Sequence, residues 1–288
     1  MFAPSFDYYR ASSVAEAGDL LRKHPGAKVL AGGHSLIPLL KLRLAAPPAV
    51  IDIGRLRELK GISRQDGVVR IGALTTHAEI AASSVIREQC PALAEAAQLV
   101  GDPAVRNRGT IGGNVAHADP ASDLPTVLTA LGATFEIASS GSSKTADAAS
   151  FFTGMMSTTL GEQELLVAVN VPVRSQGQGQ AYVKFAHPAS RYAVIGVASA
   201  LTSSGGTCTA AAVAIGGLVP RATRAASVER ALSGQKLSAD SIAEAAAGIA
   251  RDLGGDLLGD LYASAEYRKA VAPVWVKRAL TAAADRAK

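Results

Sequence analysis

The most constraining feature of the chain is a pair of glycine doublets, Ala31-Gly32-Gly33-His34-Ser35 at the end of an apolar segment and Thr110-Ile111-Gly112-Gly113-Asn114 within a polar one. A strand that runs into Gly-Gly exposes its backbone N–H groups, with no side chain in the way. Such a nest suits a phosphate, and neighbouring hydroxyls and amides add donors. Ser35 is placed to do so in the first turn, and Thr110 and Asn114 in the second. A single doublet is equally an ordinary strand–helix turn. Two in one unit can embrace a diphosphate from both sides. Neither fits G-x-G-x-x-G or G-x-x-x-x-G-K-[ST], which disfavours a Rossmann or P-loop site.

The surrounding pattern is that of mixed α and β structure. Ser12 to Leu21 reads as a capped helix, Lys28 to Leu30 as a strand, and Leu36 to Leu44 as a second helix. Val50 to Ile53 and Val68 to Ile71 read as strands, and Ala78 to Ala82 and Pro91 to Val100 as helices. This alternation predicts a small unit with parallel pairing. Gly101 to Pro125, rich in Gly, Pro, Asn and Asp, reads as a long functional loop too polar for a core element. Within it, Asp119 or Asp123 is suited to accept a ribose hydroxyl or to cap the helix beginning near Pro125. Val127 to Leu131 reads as helix, and Thr134 to Ala138 and Leu165 to Pro172 as strands. Arg174 to Gln180 reads as a linker. Beyond it, Ala181 to Phe185, Ala193 to Thr202 and Thr207 to Ile215 form three antiparallel strands, with a hairpin turn at Ser203 to Gly206. Ala222 to Lys288 is mostly Ala-rich amphipathic helix, giving an α+β unit.

Composition narrows the function. The 288 residues are 48% hydrophobic and 18% charged, enough for two folded domains. Aromatics at 5% favour close backbone packing over large aromatic clusters. The net charge of +5 is scattered, leaving room for an acidic partner or anionic lipid but no nucleic-acid footprint. The two cysteines, Cys90 and Cys208, are too few for an iron–sulfur cluster and do not suggest a disulfide framework. No signal peptide is evident, and no apolar run reaches the roughly 18 residues of a membrane span. A cytoplasmic location is expected, with peripheral attachment to the inner face of the membrane left open. His77 and His117 stand singly, without metal-ligand spacing. Trp275 reads as core or subunit contact, and Tyr192 as a half-buried strand tyrosine or a ring beside a bound cofactor.

AGGHSLIPLLKLRL at Ala31 to Leu44 and TIGGNVAHADPASDLP at Thr110 to Pro125 resemble the two flavin-binding motifs of the xanthine dehydrogenase family. The likeness is nearest to the separate medium subunit of carbon monoxide dehydrogenase and bacterial N-heterocycle hydroxylases. Phe6-Asp7-Tyr8, Val50 to Ile53 and Ile71-Gly72-Ala73 also fall where that family places them. The resemblance spans essentially the whole chain. It implies an α+β fold with a two-subdomain FAD-binding domain of the PCMH (vanillyl-alcohol oxidase-like) type at residues 1–176. A carbon monoxide dehydrogenase flavoprotein-like domain, a three-stranded antiparallel sheet with helices, would occupy 177–288.

Carried over by position, Ala31, Gly32, Gly33, His34 and Ser35 wrap the pyrophosphate of FAD from the first turn. Thr110, Gly112, Gly113 and Asn114 do so from the second. Asp123 matches an acidic cofactor ligand, Leu166 a residue near the adenine end, and Lys184 a lysine close to the flavin. His34 lies in a Gly-Gly-His sequence that binds flavin covalently in some oxidases of this superfamily. Those oxidases carry a much larger substrate domain, so the expected FAD is non-covalent. The family places molybdopterin on a large partner subunit and two [2Fe–2S] clusters on a small one, in a dimer of heterotrimers. This chain would collect electrons and pass them to an external acceptor. A stand-alone NADPH-dependent UDP-N-acetylenolpyruvylglucosamine reductase is the alternative, but it requires its own substrate pocket and proton donor, for which the C-terminal part presents no convincing candidate. A flavin-free scaffold is a third reading, disfavoured by the intact glycine pairs.

Overall fold

The structure, a computed structural model, describes residues 2–139 and 141–287. Three bodies of secondary structure follow one another, each with its own sheet.

The first is a parallel sheet with Ala49–Asp52 in the centre, flanked by Asp7–Arg10 and Lys28–Leu30. Parallel strands need a crossover, and the helix Val14–Lys23 provides the first. It starts where Ser13 accepts a hydrogen bond from the Glu16 N–H and buries Ala17 and Leu21. With Ile51, Ile53, Leu56, Leu59 and Leu74 these residues make a small core.

The second body is a five-stranded antiparallel sheet. Its order is Ile62–Gln65, Val68–Gly72, Leu165–Pro172, Thr134–Ser139, Ser142–Asp147. The parallel pairing expected of the first hundred residues therefore holds for three strands and fails for Val68–Gly72, which forms a hairpin with Ile62–Gln65. The helices Pro91–Leu99, Ile111–His117 and Asp123–Ala130 contribute to the core on this sheet, together with Phe135, Phe151 and Phe152. These three phenylalanines meet edge-on at centroid distances of 4.6 to 5.9 Å. Few aromatics thus still make a cluster.

Gly101 to Pro125 is not the open loop expected from its polarity. It contains the helices Pro103–Arg106 and Ile111–His117 and the start of Asp123–Ala130. Asp102 caps Val105 and Thr110 caps Gly113, so polar residues start these helices while Ile111, Val115 and Leu124 go to the core.

The third body is an antiparallel sheet of four strands, not three: Gln178–Ala186, Ala193–Ser204, Thr207–Gly216 and Thr223–Arg224. The fourth strand is two residues long, paired to Ala214 and Ile215, too short to show as a periodic pattern. Side chains alternate across this sheet. Ala181, Val197 and Ile215 face the 22-residue helix Ala265–Arg286 and its core, while Tyr182, Ala198 and Ala214 enter the core of the second body. The sheet is shared, and the C-terminal part is anchored to the flank of the helices Pro91–Leu99 and Asp123–Ala130. No helix among the described residues is long and apolar enough to cross a membrane.

Candidate cofactor site

The first glycine turn leaves the parallel sheet at Leu30 and enters the helix Leu36–Lys41. Gly33 has φ +81°, a left-handed conformation that side-chain-bearing residues seldom adopt. Gly32 is required for another reason: a Cβ there would lie 2.0 Å from the Arg108 carbonyl oxygen. The turn is therefore built to lie against the chain that leads into the second glycine motif. Among the described residues, the backbone N–H groups of Gly32, Gly33, His34 and Ser35 have no acceptor. Ser35 occupies the N-cap position without making a side-chain cap bond. The His34 ring bonds through Nε2 to the Ala104 carbonyl at 3.0 Å, so that nitrogen donates.

The second turn is fastened to the strand end at Ala73 to His77. The Gly112 N–H donates to the Ala73 carbonyl at 2.9 Å, Ile111 to Thr75 at 3.0 Å, and His77 to the Gly109 carbonyl at 3.0 Å. Gly112 is buried, and its Cβ would fall 2.5 Å from that of Ala73. Gly113 is exposed, and a Cβ there would point within 3.9 Å of Ala31. Thr110 accepts from the Gly113 N–H at 3.2 Å, so its oxygen serves the turn itself. Asn114 donates to Ser122 at 2.6 Å, while its buried carbonyl oxygen Oδ1 has no partner among the described residues.

The fold thus brings the two doublets into contact. Gly32 packs on Arg108 and Gly109, and Ala31 faces Gly113. Bordering this contact are the unclaimed N–H donors and the Ser35 hydroxyl, while the orphaned Asn114 Oδ1 is an acceptor, suited to a hydroxyl or N–H of a ligand and not to its phosphate. Unclaimed N–H and hydroxyl donors of this kind fit an anionic, polar ligand like the diphosphate of a dinucleotide, and the glycines let the two turns pack closely enough to present them together.

Asp123 and Lys184, also expected at the cofactor, engage one another. The Lys184 ammonium donates to Asp123 at 3.0 Å, to the Leu99 carbonyl at 2.8 Å and to the Arg191 carbonyl at 2.8 Å. The Tyr182 hydroxyl donates to the other Asp123 oxygen at 2.6 Å. The two charged side chains are 1% and 6% exposed. Burial pushes the Asp123 carboxyl up and the Lys184 ammonium down, and each charge opposes the shift of the other. Leu166 is a core residue of the strand Leu165–Pro172, 3% exposed.

Ala73, Arg108, Gly109 and Tyr182, which shape the junction and the charge pair, were given no site role from the sequence, although Arg108 and Gly109 open the second glycine motif and Ala73 ends the Ile71-Gly72-Ala73 turn. Their roles are not written in their own residue types, because each serves as a surface against which another segment packs. Both cysteines are buried and free, and burial pushes the Cys90 thiol up to about 12.

Comparison with known proteins identifies the family. The family described as the FAD binding domain in molybdopterin dehydrogenase matches residues 4–174, and the carbon monoxide dehydrogenase flavoprotein C-terminal domain matches residues 180–283. The carbon monoxide dehydrogenase medium chain of Hydrogenophaga pseudoflava is 40% identical over 98% of both chains. The glyceraldehyde dehydrogenase medium chain of Sulfolobus acidocaldarius is 37% identical over 97% of this chain and 98% of its own. A solved carbon monoxide dehydrogenase structure from Hydrogenophaga pseudoflava superposes with a TM-score of 0.95 at 40% identity, covering 99% of each chain. The chain belongs to the family of FAD-binding medium subunits of the molybdenum hydroxylases.

Proposed function

We propose that this chain is the electron-transfer flavin subunit of a heterotrimeric molybdenum hydroxylase, with one FAD held non-covalently where the two glycine turns meet. The observation that carries the reading is their contact: Gly32 against Arg108 and Gly109, with four backbone N–H groups left without acceptors. Gly32, Gly33, His34 and Ser35 would hold the diphosphate from the first turn, with Ala31 shaping its wall. Gly112, Gly113 and Asn114 would close it from the second, with Thr110 fixing their conformation. Asp123 and Lys184 would border the flavin end and Leu166 would support the adenine end from the core. His34 already donates from Nε2 to Ala104, which fits a non-covalent cofactor.

When bound, FAD supplies the redox chemistry, taking up electrons from [2Fe–2S] clusters of a small partner subunit and releasing them to an external acceptor. Substrate oxidation would take place at molybdopterin on a large partner. The protein's own part is to orient and retain the cofactor and to tune its surroundings. We assign residues 1–176 to the flavin domain and 177–288 to the C-terminal domain, in a dimer of heterotrimers. A cytoplasmic location, with peripheral contact to the inner face of the membrane, accords with the scattered positive charge. Full-length likeness to medium chains of multi-subunit dehydrogenases favours this reading over the stand-alone reductase.

The test is FAD content. The purified complex is expected to release one FAD per copy of this chain on denaturation. Gly113→Leu places a side chain in the gap facing Ala31 and is expected to empty the site while the far-ultraviolet circular dichroism stays native. Full FAD occupancy in that variant would refute the turn assignment.

A further inference from the structure

Lys184 does more than neutralise Asp123. It lies on the strand Gln178–Ala186 of the C-terminal sheet, opposite Gly196, and its side chain is 1% exposed. An ammonium has three N–H donors. All three are engaged: by the Asp123 carboxylate at 3.0 Å, the Leu99 carbonyl at 2.8 Å and the Arg191 carbonyl at 2.8 Å. A group so enclosed and so fully bonded has no donor left for a cofactor. Its effect on a ligand passes through the segments it holds.

Two of those are the ends of one loop. Leu99 is the last residue of the helix Pro91–Leu99, and Asp123 is the first of Asp123–Ala130. Between them, residues 100–122 carry the second glycine turn together with Arg108 and Gly109, against which Gly32 packs. The middle of this segment is fastened by the bonds of Ile111 and Gly112 to the carbonyls of Thr75 and Ala73. Its two ends meet at one nitrogen. Closing a long loop costs conformational entropy, and the cation offsets that cost at both ends. The Leu99 carbonyl lies at a helix C-terminus, where positive charge is favoured, and Asp123 is the counter-ion. The third bond reaches Arg191, whose backbone is left-handed at φ 61°. It belongs to a turn, 187–192, closed on itself by bonds from the His187 and Arg191 N–H groups to the Tyr192 and His187 carbonyls, both 2.8 Å. A buried ion pair adds little net stability over apolar side chains of the same volume. What this one supplies is the relative placement of three segments.

We propose that Lys184 is a positioning residue for FAD: by tying Leu99, Asp123 and Arg191 together it fixes the span of residues 100–122, and so holds the second glycine turn against the first, without its ammonium touching the cofactor. This rests on the flavin reading above and narrows it. The lysine acts from behind the site, through the backbone it anchors.

The experiment uses the full-length chain in its complex, stripped of FAD and titrated with FAD by flavin fluorescence, with amide hydrogen exchange read on the FAD-free form. Lys184→Met removes all three bonds. It is expected to weaken FAD binding about tenfold, the scale of lost hydrogen bonds to a charged group. Exchange is expected to quicken at residues 100–122, the bonded amides of Ile111 and Gly112 included, more than in the strand Ala193–Ser204. Lys184→Arg keeps cationic donors and is expected to recover most of both. FAD binding by the Met variant indistinguishable from the unaltered chain would overturn the proposal. So would weaker binding with exchange at 100–122 unchanged, the mark of a direct contact with the cofactor. Exchange quickened equally along the whole chain would also overturn it, since that marks general destabilisation. Should the Met variant fail to fold, the 15N resonance of the Lys184 ammonium in the unaltered complex decides. A resonance that stays in place on FAD addition supports the assignment, and one that moves to a new bonding state rejects it. If the unaltered chain takes up no FAD at all, the flavin reading fails and this proposal with it; if it takes up FAD and the Met variant does so equally well, only this proposal fails.

Discussion

Two buried titratable sites dominate at the residue scale. The Lys184–Asp123 pair is satisfied on every side, with Tyr182 and two carbonyls completing its bonds. Removing one partner leaves a lone charge in a dry interior, which costs about 3–5 kcal/mol, more than the pair itself is worth. Lys184→Met is therefore expected to lower the urea-unfolding free energy by that amount, whereas Lys184→Met combined with Asp123→Leu loses less; equal losses would remove the pairing argument. His77 contributes a pH term. Its folded pKa of about 4 lies below the ordinary 6.5. Between these values the unfolded chain binds the proton and the folded chain does not, so stability rises with pH. Above pH 6.5 the contribution is complete, and acidification toward pH 4 withdraws on the order of 3 kcal/mol. His77→Phe is expected to flatten that part of the stability profile relative to the unaltered chain, as read by denaturant titration at successive pH values.

At the element scale, the decisive contacts are glycine-mediated. The helix Ala265–Arg286 lies on the sheet at Gly179, where a Cβ would stand 2.0 Å from the Ala283 carbonyl. Gly179→Val must push helix and sheet apart, and overpacking of this kind costs about 1–3 kcal/mol. A thermal midpoint unchanged by that substitution would contradict the close approach. The strand Leu165–Pro172 illustrates what periodicity reveals: its ends match the sequence expectation, and its bulge between Leu166 and Ala168 does not show in the pattern. The polar stretch Gly101 to Pro125 illustrates the converse. Its short helices are built from caps and from bonds to Ala73 and Thr75, and composition alone reads such a segment as loop.

For the whole molecule, the C-terminal sheet is an integral wall of the flavin domain. Tyr182 N–H donates to Glu95 at 2.9 Å, Arg286 pairs with Glu95 at 2.7 Å, and Ala193 and Gly217 donate to the carbonyls of Ala121 and Pro120. These last two bonds grip the chain just after the second glycine turn. A fragment ending at residue 176 would expose the buried face of the helices Pro91–Leu99 and Asp123–Ala130 and leave Asp123 without Tyr182 and Lys184. It is expected to bind no FAD in the fluorescence titration. Retention of FAD by that fragment would show that the second turn stands without its C-terminal support.

The sequence by itself determined the two glycine turns, most strands and helices, the family and its cofactor, because each is written in local residue order. Backbone freedom at Gly32, Gly33, Gly112 and Gly113 is a property of those residues wherever they lie. The tertiary structure alone decided that the doublets touch, that Asp123 and Lys184 neutralise each other, and that His77 lies beneath Gly109. It also added the two-residue fourth strand. Those outcomes depend on which distant segments pack together, and packing is set by the shape and burial of the whole chain, not by any window of it.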